Sequence, residues 1–256
     1  MIIDSHCHIY DKKLDEIRED ILQNIDKNNQ ICICNADCVE TSQLCLSLAQ
    51  SNKNIYATVG FHPHEAENCN EKNLKEIEEL AKNNKVVAIG EIGLDYYYDF
   101  SPREKQKEVL KKQIILANKL NLPCVFHVRE ATEDFLNILK EMKDYFSCSA
   151  VIHSFSGSVE VAKILIDYGF YLGINGIVTF KNANKILDVV EAVPLEKMLI
   201  ETDCPYLTPV PHRGKPNRPE YVEYIAEKIA EIKKITKEEV IEVTTQNALK
   251  LFNIKG

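Results

Sequence analysis

Residues able to ligate a metal recur in this chain at the ends of short apolar runs. His6 and His8 follow Met1-Ile2-Ile3, Glu91 follows Val86-Val87-Ala88-Ile89, and His127 follows Val125-Phe126. His153 follows Ala150-Val151-Ile152, and Asp203 follows Met198-Leu199-Ile200. Residues two apart on a strand share a face, so His6 and His8 point one way and Cys7 the other, which excludes Cys7 as a ligand. Two imidazoles on one face can grip a metal ion. Together the six residues offer four imidazoles and two carboxylates, more than one tetrahedral ion takes and suited to two ions that share a bridge. A carboxylate such as Glu91 beside an apolar run needs compensation. Glu201 and Asp203, again two apart, bring like charges to one face that require a cation or a proton. The chemistry implied is that of a centre holding two metal ions.

Positioning these groups requires a scaffold that gathers the ends of separate strands. Periodicity predicts strands over 2–5, 31–35, 55–59, 86–89, 123–127, 150–153, 170–174 and 198–202. Between them it predicts helices over 14–28, 39–51, 72–82, 102–120, 131–145, 159–168 and 183–192, with two or three more after 220. Ser101 and Ser158 read as N-caps, the first with Pro102 in the opening turn. Eight strand–helix units in 256 residues match a (β/α)8 TIM barrel with additional C-terminal helices, read as one domain over 1–256. Every candidate ligand then falls at the C-terminal end of its strand, the face on which barrel active sites are built. A doubly wound sheet is disfavoured, because no G-x-G-x-x-G or P-loop follows a strand. The segment 208–219 holds four of the nine prolines and reads as a rigid loop on that face.

Composition narrows the options. Hydrophobic residues at 45% and charged residues at 27% exclude a disordered or fibrous chain. No run approaches eighteen apolar residues, and no basic leader precedes Ile2, so a cytoplasmic protein without a membrane partner is expected. The nine cysteines read as buried small hydrophobes, and the spacing of Cys32, Cys34 and Cys38 is not that of a zinc knuckle. A net charge of −8 leaves no broad basic footprint for a duplex. A polyanionic substrate therefore needs metal ions and a local basic patch.

Six motifs resemble one family. Asp4-Ser5-His6-Cys7-His8, Gly60-Phe61-His62-Pro63-His64, Gly90-Glu91-Ile92-Gly93-Leu94-Asp95-Tyr96, His153-Ser154-Phe155-Ser156-Gly157, Glu201-Thr202-Asp203-Cys204-Pro205-Tyr206-Leu207 and Arg213-Gly214-Lys215-Pro216-Asn217 are similar to those of the TatD family of metal-dependent hydrolases. The resemblance runs end to end and includes Thr245-Gln246-Asn247-Ala248. It implies the amidohydrolase superfamily, two divalent ions, and deoxyribonuclease activity on DNA, typically exonucleolytic from a 3′ end. Carried over by motif, His6, His8 and Asp203 hold one ion, Glu91 bridges, and His127 and His153 hold the second. Departures are Ser154 where Cys is frequent, and Arg218 where an acid is common.

The expected mechanism is phosphodiester hydrolysis in which Asp203 deprotonates the attacking water and Glu91 sets the spacing of the ions. Glu201 and His62 are expected to orient ligands or contact the phosphate. Arg129 is expected to clamp it, and Arg213, Lys215 and Arg218 to supply the basic patch. The donor set suits Zn, Mn, Fe or Mg without choosing among them. Two alternatives are a metal-dependent ester or amide hydrolase such as a D-aminoacyl-tRNA deacylase, and a non-catalytic nucleic-acid-binding module.

Overall fold

Eight parallel strands pair strictly in chain order: β1 (Ile3–Cys7), β2 (Ile31–Cys34), β3 (Ile55–Val59), β4 (Val86–Asp95), β5 (Cys124–Arg129), β6 (Ala150–Ile152), β7 (Tyr171–Ile174) and β8 (Met198–Ile200). They come from a computed structural model that describes residues 1–143, 146 and 148–255. The first and last strands meet where Cys7 pairs with Cys204. There the Asp203 amide donates to the His6 carbonyl at 2.8 Å, and the His8 amide donates to the Cys204 carbonyl at 2.7 Å. The result is a TIM barrel, and closing it joins the segments that carry His6, His8 and Asp203. Around it lie α1 (Arg18–Lys27), α2 (Val39–Ser51), α3 (Glu71–Leu80), α4 (Arg103–Leu120), α5 (Thr132–Glu141), α6 (Val159–Asp167), α7 (Asn184–Ala192) and α8 (Val222–Lys233). A further helix, α9 (Lys237–Phe252), follows. None of the described helices is long and apolar enough to cross a membrane.

Two apolar layers follow from strand alternation. Ile3, Ile33, Val87, Val125, Val151 and Leu199 form an inner cluster with Leu251 and Phe252 of α9. The larger cluster packs the opposite strand faces, among them Phe126, Ile152 and Ile200, against the surrounding helices. The buried Asn247 anchors α9 by donating to the carbonyls of Leu195 and Met198 at 2.9 and 2.8 Å. That explains the polar residue in the C-terminal motif.

Several expected boundaries shift, each for a local reason. Instead of one helix from residue 14, a 3-10 turn covers Lys12–Leu14 and α1 starts at Arg18. The Arg18 guanidinium ties down the carbonyls of Ile9, Tyr10 and Asp11 at 2.8–2.9 Å. Ser101 does not cap α4. Its hydroxyl donates to the His64 carbonyl at 2.9 Å, and Pro102 occupies the cap position. Ser158 does cap α6, accepting from the Val161 amide at 3.4 Å. α5 ends at Glu141; Asp144 and Tyr145, expected within it, lie outside the described residues. β4 runs to Asp95, well past the expected end at Ile89. It does so through Gly93, where a Cβ would strike the His127 carbonyl on the neighbouring strand.

Candidate metal centre

The six expected ligands converge at the C-terminal mouth of the barrel. His6 Nε2 lies 3.2 Å from His8 Nε2, 3.3 Å from Glu91 Oε2 and 3.8 Å from Asp203 Oδ1. His8 Nε2 lies 3.4 Å from Asp203 Oδ1. The other Glu91 oxygen, Oε1, lies 2.8 Å from His127 Nδ1 and 2.9 Å from His153 Nε2. The rings of His6 and His153 stack with centroids 3.8 Å apart. His6, His8 and Asp203 form one group whose donor atoms all lie within 4.8 Å of one another; His62, Glu91 and His127 form another.

Outer contacts fix which nitrogen faces inward. His8 Nδ1 donates to the Asn35 carbonyl at 3.0 Å, which turns Nε2 to the centre. His127 Nε2 donates to Asp95 Oδ2 at 3.0 Å, which turns Nδ1 to the centre. This is the carboxylate–histidine pairing that orients metal-binding imidazoles. Glu201 lies behind His153, its Oε1 3.4 Å from Nδ1, and accepts from the Ser154 amide at 2.6 Å. Gly173 leaves room for that carboxylate, because a Cβ there would collide with it. Ser154 and Asp203 both adopt left-handed backbone, φ 47° and 57°, a strain that clusters at functional sites.

The electrostatics favour a cation. Burial opposes charge on His8, but the hydrogen bond to Asp203 and the charge of Asp37 outweigh it and push its pKa up to about 10. Burial also opposes charge on Glu91. Coulombic attraction from His153, His6 and His62 holds that carboxyl well below the usual carboxylate range. Asp203 is likewise held low against burial, first by its hydrogen bond with His8. Convergent imidazole nitrogens and ionised carboxylates in a buried site stabilise positive charge, and the all-nitrogen-and-oxygen donor set fits a divalent ion.

A sequence profile of the family described as "TatD related DNase" matches residues 3–253. The chain belongs to this family. It is a TatD-family metal-dependent hydrolase. Among its relatives is YabD of Bacillus subtilis, named an uncharacterized metal-dependent hydrolase. The two are 44% identical over 99% of this chain and 100% of YabD. YcfH of Escherichia coli K12, with the same description, is 37% identical over 99% of this chain and 96% of its own. The crystal structure of YJJV, a TatD homolog from Escherichia coli K12, superposes with a TM-score of 0.90 at 30% identity. That alignment covers 99% of this chain and 98% of the other.

The remaining expected site residues of this TatD-family chain separate into two sets. Arg129 lines a cavity of about 750 Å³ together with His127, His153, Asp203 and Tyr206. His62 is buried, its Nε2 3.6 Å from Glu91 Oε1. Arg213 and Lys215 are exposed on the proline-rich loop outside the residues that line this cavity. The Arg213 guanidinium bonds the Thr208 carbonyl and stacks on Phe180. Arg218 is neutralised by Asp20 and Glu220, which removes it from the expected basic patch. Cys7 turns away from the centre and its thiol donates to the Ile33 carbonyl. Among the described residues no metal-competent cluster joins Cys32, Cys34 and Cys38.

Asp95 and His64 were given no role from sequence, yet Asp95 Oδ2 accepts from both His127 and His64, the latter at 2.9 Å. Burial would raise the Asp95 pKa, but these bonds outweigh it and hold the carboxyl far below its ordinary value. Two fully buried glutamines of α4 were also missed. Gln106 bonds the Asp95 amide at 2.8 Å and its carbonyl at 3.1 Å. Gln113 does the same for Phe61, at 2.7 and 3.0 Å. They lie seven residues apart, so one helix face fixes both loops behind the centre. The only signal in the sequence was two polar residues at a helical repeat within an otherwise apolar stripe.

Proposed function

We propose that the protein is a metal-dependent deoxyribonuclease that hydrolyses phosphodiester bonds of single-stranded DNA, acting from 3′ ends through a centre of two divalent ions. The observation that carries the reading is Glu91. Its two oxygens face different histidine groups, Oε2 towards His6 and Oε1 towards His127 and His153. A carboxylate so divided suits a pair of ions: His6, His8 and Asp203 would hold one and His127 and His153 the other, with Glu91 available to both. The family description supports DNA as substrate, and Arg129 on the cavity wall supplies cationic recognition of phosphate.

When bound, divalent ions polarise a phosphoryl group and ease the ionisation of water at neutral pH. The chain's own residues do the rest. Asp203, held ionised on the cavity wall, accepts the proton of the attacking water. His62 accepts the His64 amide on Nδ1 at 3.2 Å, so its neutral ring donates from Nε2 and serves to hold a phosphate oxygen. Burial, then the charge of His127, keeps His62 neutral. Glu201 steadies His153 from behind. Arg213 and Lys215, exposed outside the cavity, would meet only phosphates further along the strand, and Arg213 would first have to leave the Thr208 carbonyl.

A second reading has one observation in its favour. The cavity continues between apolar side chains, Leu136, Phe155, Val161 and Leu165, which suit the acyl group of a D-aminoacyl-tRNA. One assay panel separates the two. Metal-loaded protein is given single-stranded DNA with a free or a blocked 3′ end, RNA, and D-aminoacyl-tRNA. Mononucleotide release that requires the free 3′ end supports the nuclease; release of a D-amino acid with intact DNA overturns it.

A further inference from the structure

Of ten large hydrophobic side chains exposed on the described chain, three fall within one short stretch after β4: Tyr97, Tyr98 and Phe100, exposed by 54%, 47% and 64%. Such a concentration at a cavity rim marks a surface that meets something. We propose that this loop is a stacking platform for a nucleobase flanking the phosphate that enters the centre, which makes the substrate a strand with unpaired bases; the proposal rests on the nuclease reading.

The geometry is that of a preformed platform. The rings of Tyr98 and Phe100 lie 20° from parallel with centroids 5.3 Å apart. His64 braces both edge-on, at 5.4 Å from Tyr98 and 4.8 Å from Phe100. The loop backbone is pinned by Asp95, whose Oδ1 accepts from the amides of Tyr97 and Tyr98 at 2.9 and 3.0 Å. The other oxygen of the same carboxylate holds His64 and His127. One side chain therefore ties the aromatic loop to a candidate ligand of the centre, and the rings are ordered before any base arrives.

Charge selects the occupant. The Arg129 guanidinium carbon sits 4.0 Å from the Tyr97 ring centre and 4.8 Å from that of Tyr98. No described acid forms an ion pair with it, so its charge remains for a phosphate. Both Tyr98 and Arg129 line the cavity that contains His127 and Asp203. Aromatic faces beside a cation recognise a base and its phosphate without regard to sequence, because every base has a π face. A base inside a duplex is already stacked on its neighbours, whereas one at an unpaired end is free to move onto Phe100.

The test compares metal-loaded wild type with a Tyr98→Ala, Phe100→Ala double variant. Both positions are exposed, so the variant should fold, which circular dichroism and metal content verify. The substrates are a single-stranded oligothymidine and versions with an abasic residue at the terminal or penultimate 3′ position. The expected result is that one abasic position lowers wild-type kcat/KM by about tenfold or more. The variant should lose a similar factor on the intact strand and suffer no further loss at that abasic position. A variant that keeps wild-type kcat/KM, or one that still shows the full abasic loss, overturns the platform. So does a variant that changes only its sedimentation, which would make the loop a protein contact. Cleavage of every substrate at one rate by the wild type defeats the platform alone. No cleavage of any oligonucleotide defeats the nuclease reading, and the platform with it.

Discussion

The Nε2 atoms of His6 and His8 face each other across 3.2 Å, while His8 Nδ1 is committed to the Asn35 carbonyl. Two imidazole nitrogens this close share a proton in a hydrogen bond or share a metal ion. Burial opposes a second proton on His8, but the hydrogen bond to Asp203 and the charge of Asp37 outweigh it and push its pKa up to about 10.

Stability should therefore fall with rising pH in metal-free protein and fall much less in metal-loaded protein. The unfolded chain releases the His8 proton near its ordinary value of about 6.5, the folded metal-free chain near 10. Between those values the folded state holds the extra proton, so metal-free protein becomes less stable as pH rises. Metal must expel the same proton, so its binding strengthens over that range and opposes the loss. Thermal melts of chelated and metal-loaded protein across this window check the slopes. Parallel slopes would count against metal at His8.

Replacing Asp95 with Asn removes the acceptor for the His127 N–H at 3.0 Å. Loss of such an orienting partner costs about 10–100-fold in metal affinity. The amide can keep the bonds to Tyr97 and Tyr98, so the fold should persist. A metal titration with a competing chelator measures the effect, and unchanged affinity would remove Asp95 from its positioning role.

Gln113→Leu strands two backbone groups of Phe61, which is 1% exposed. Each buried group left unpaired costs about 1–3 kcal/mol. Urea denaturation should register that loss. Activity should fall further than stability alone explains, because Phe61 leads directly into His62. Rescue by Glu, which keeps one acceptor, should be partial.

Asp203→Asn should abolish turnover while leaving the fold and at least part of the metal binding intact, since an amide keeps an oxygen near His8 but cannot take a proton at neutral pH. Single-turnover cleavage with metal content measured in parallel decides it. Near wild-type rates in a loaded variant would reassign the base.

How much of this was legible in the sequence depended on the range of the interaction. The βα alternation and the six candidate ligands follow from local period, and the structure gathers them at one end of the barrel. The reasoning for Asp203 was less sound than its outcome. β8 ends at Ile200, and the carboxylate reaches the centre through a left-handed turn rather than by strand alternation. β1 shows a related gap. Ile3 and His6 both face inward although they are three residues apart, because the pairing with β2 shifts between Asp4 and Cys7. β4 was expected to end at Ile89, where the apolar run stops, whereas it continues to Asp95 through Gly93, whose missing Cβ lets β5 approach. Asp95 stayed invisible because its partners lie 31 and 32 residues away. Gln106 and Gln113 interrupt the apolar stripe of α4, but nothing local names the backbone groups they bind 11 and 52 residues away.

The most direct measurement is cleavage of a single-stranded oligonucleotide with a free 3′ hydroxyl as a divalent metal is returned stepwise to metal-free protein. The account predicts that binding saturates at two ions per chain, that cleavage rises with the second, and that Glu91→Ala abolishes the second binding step. Full activity at one ion per chain, or a fully loaded protein that leaves the strand intact, would contradict it.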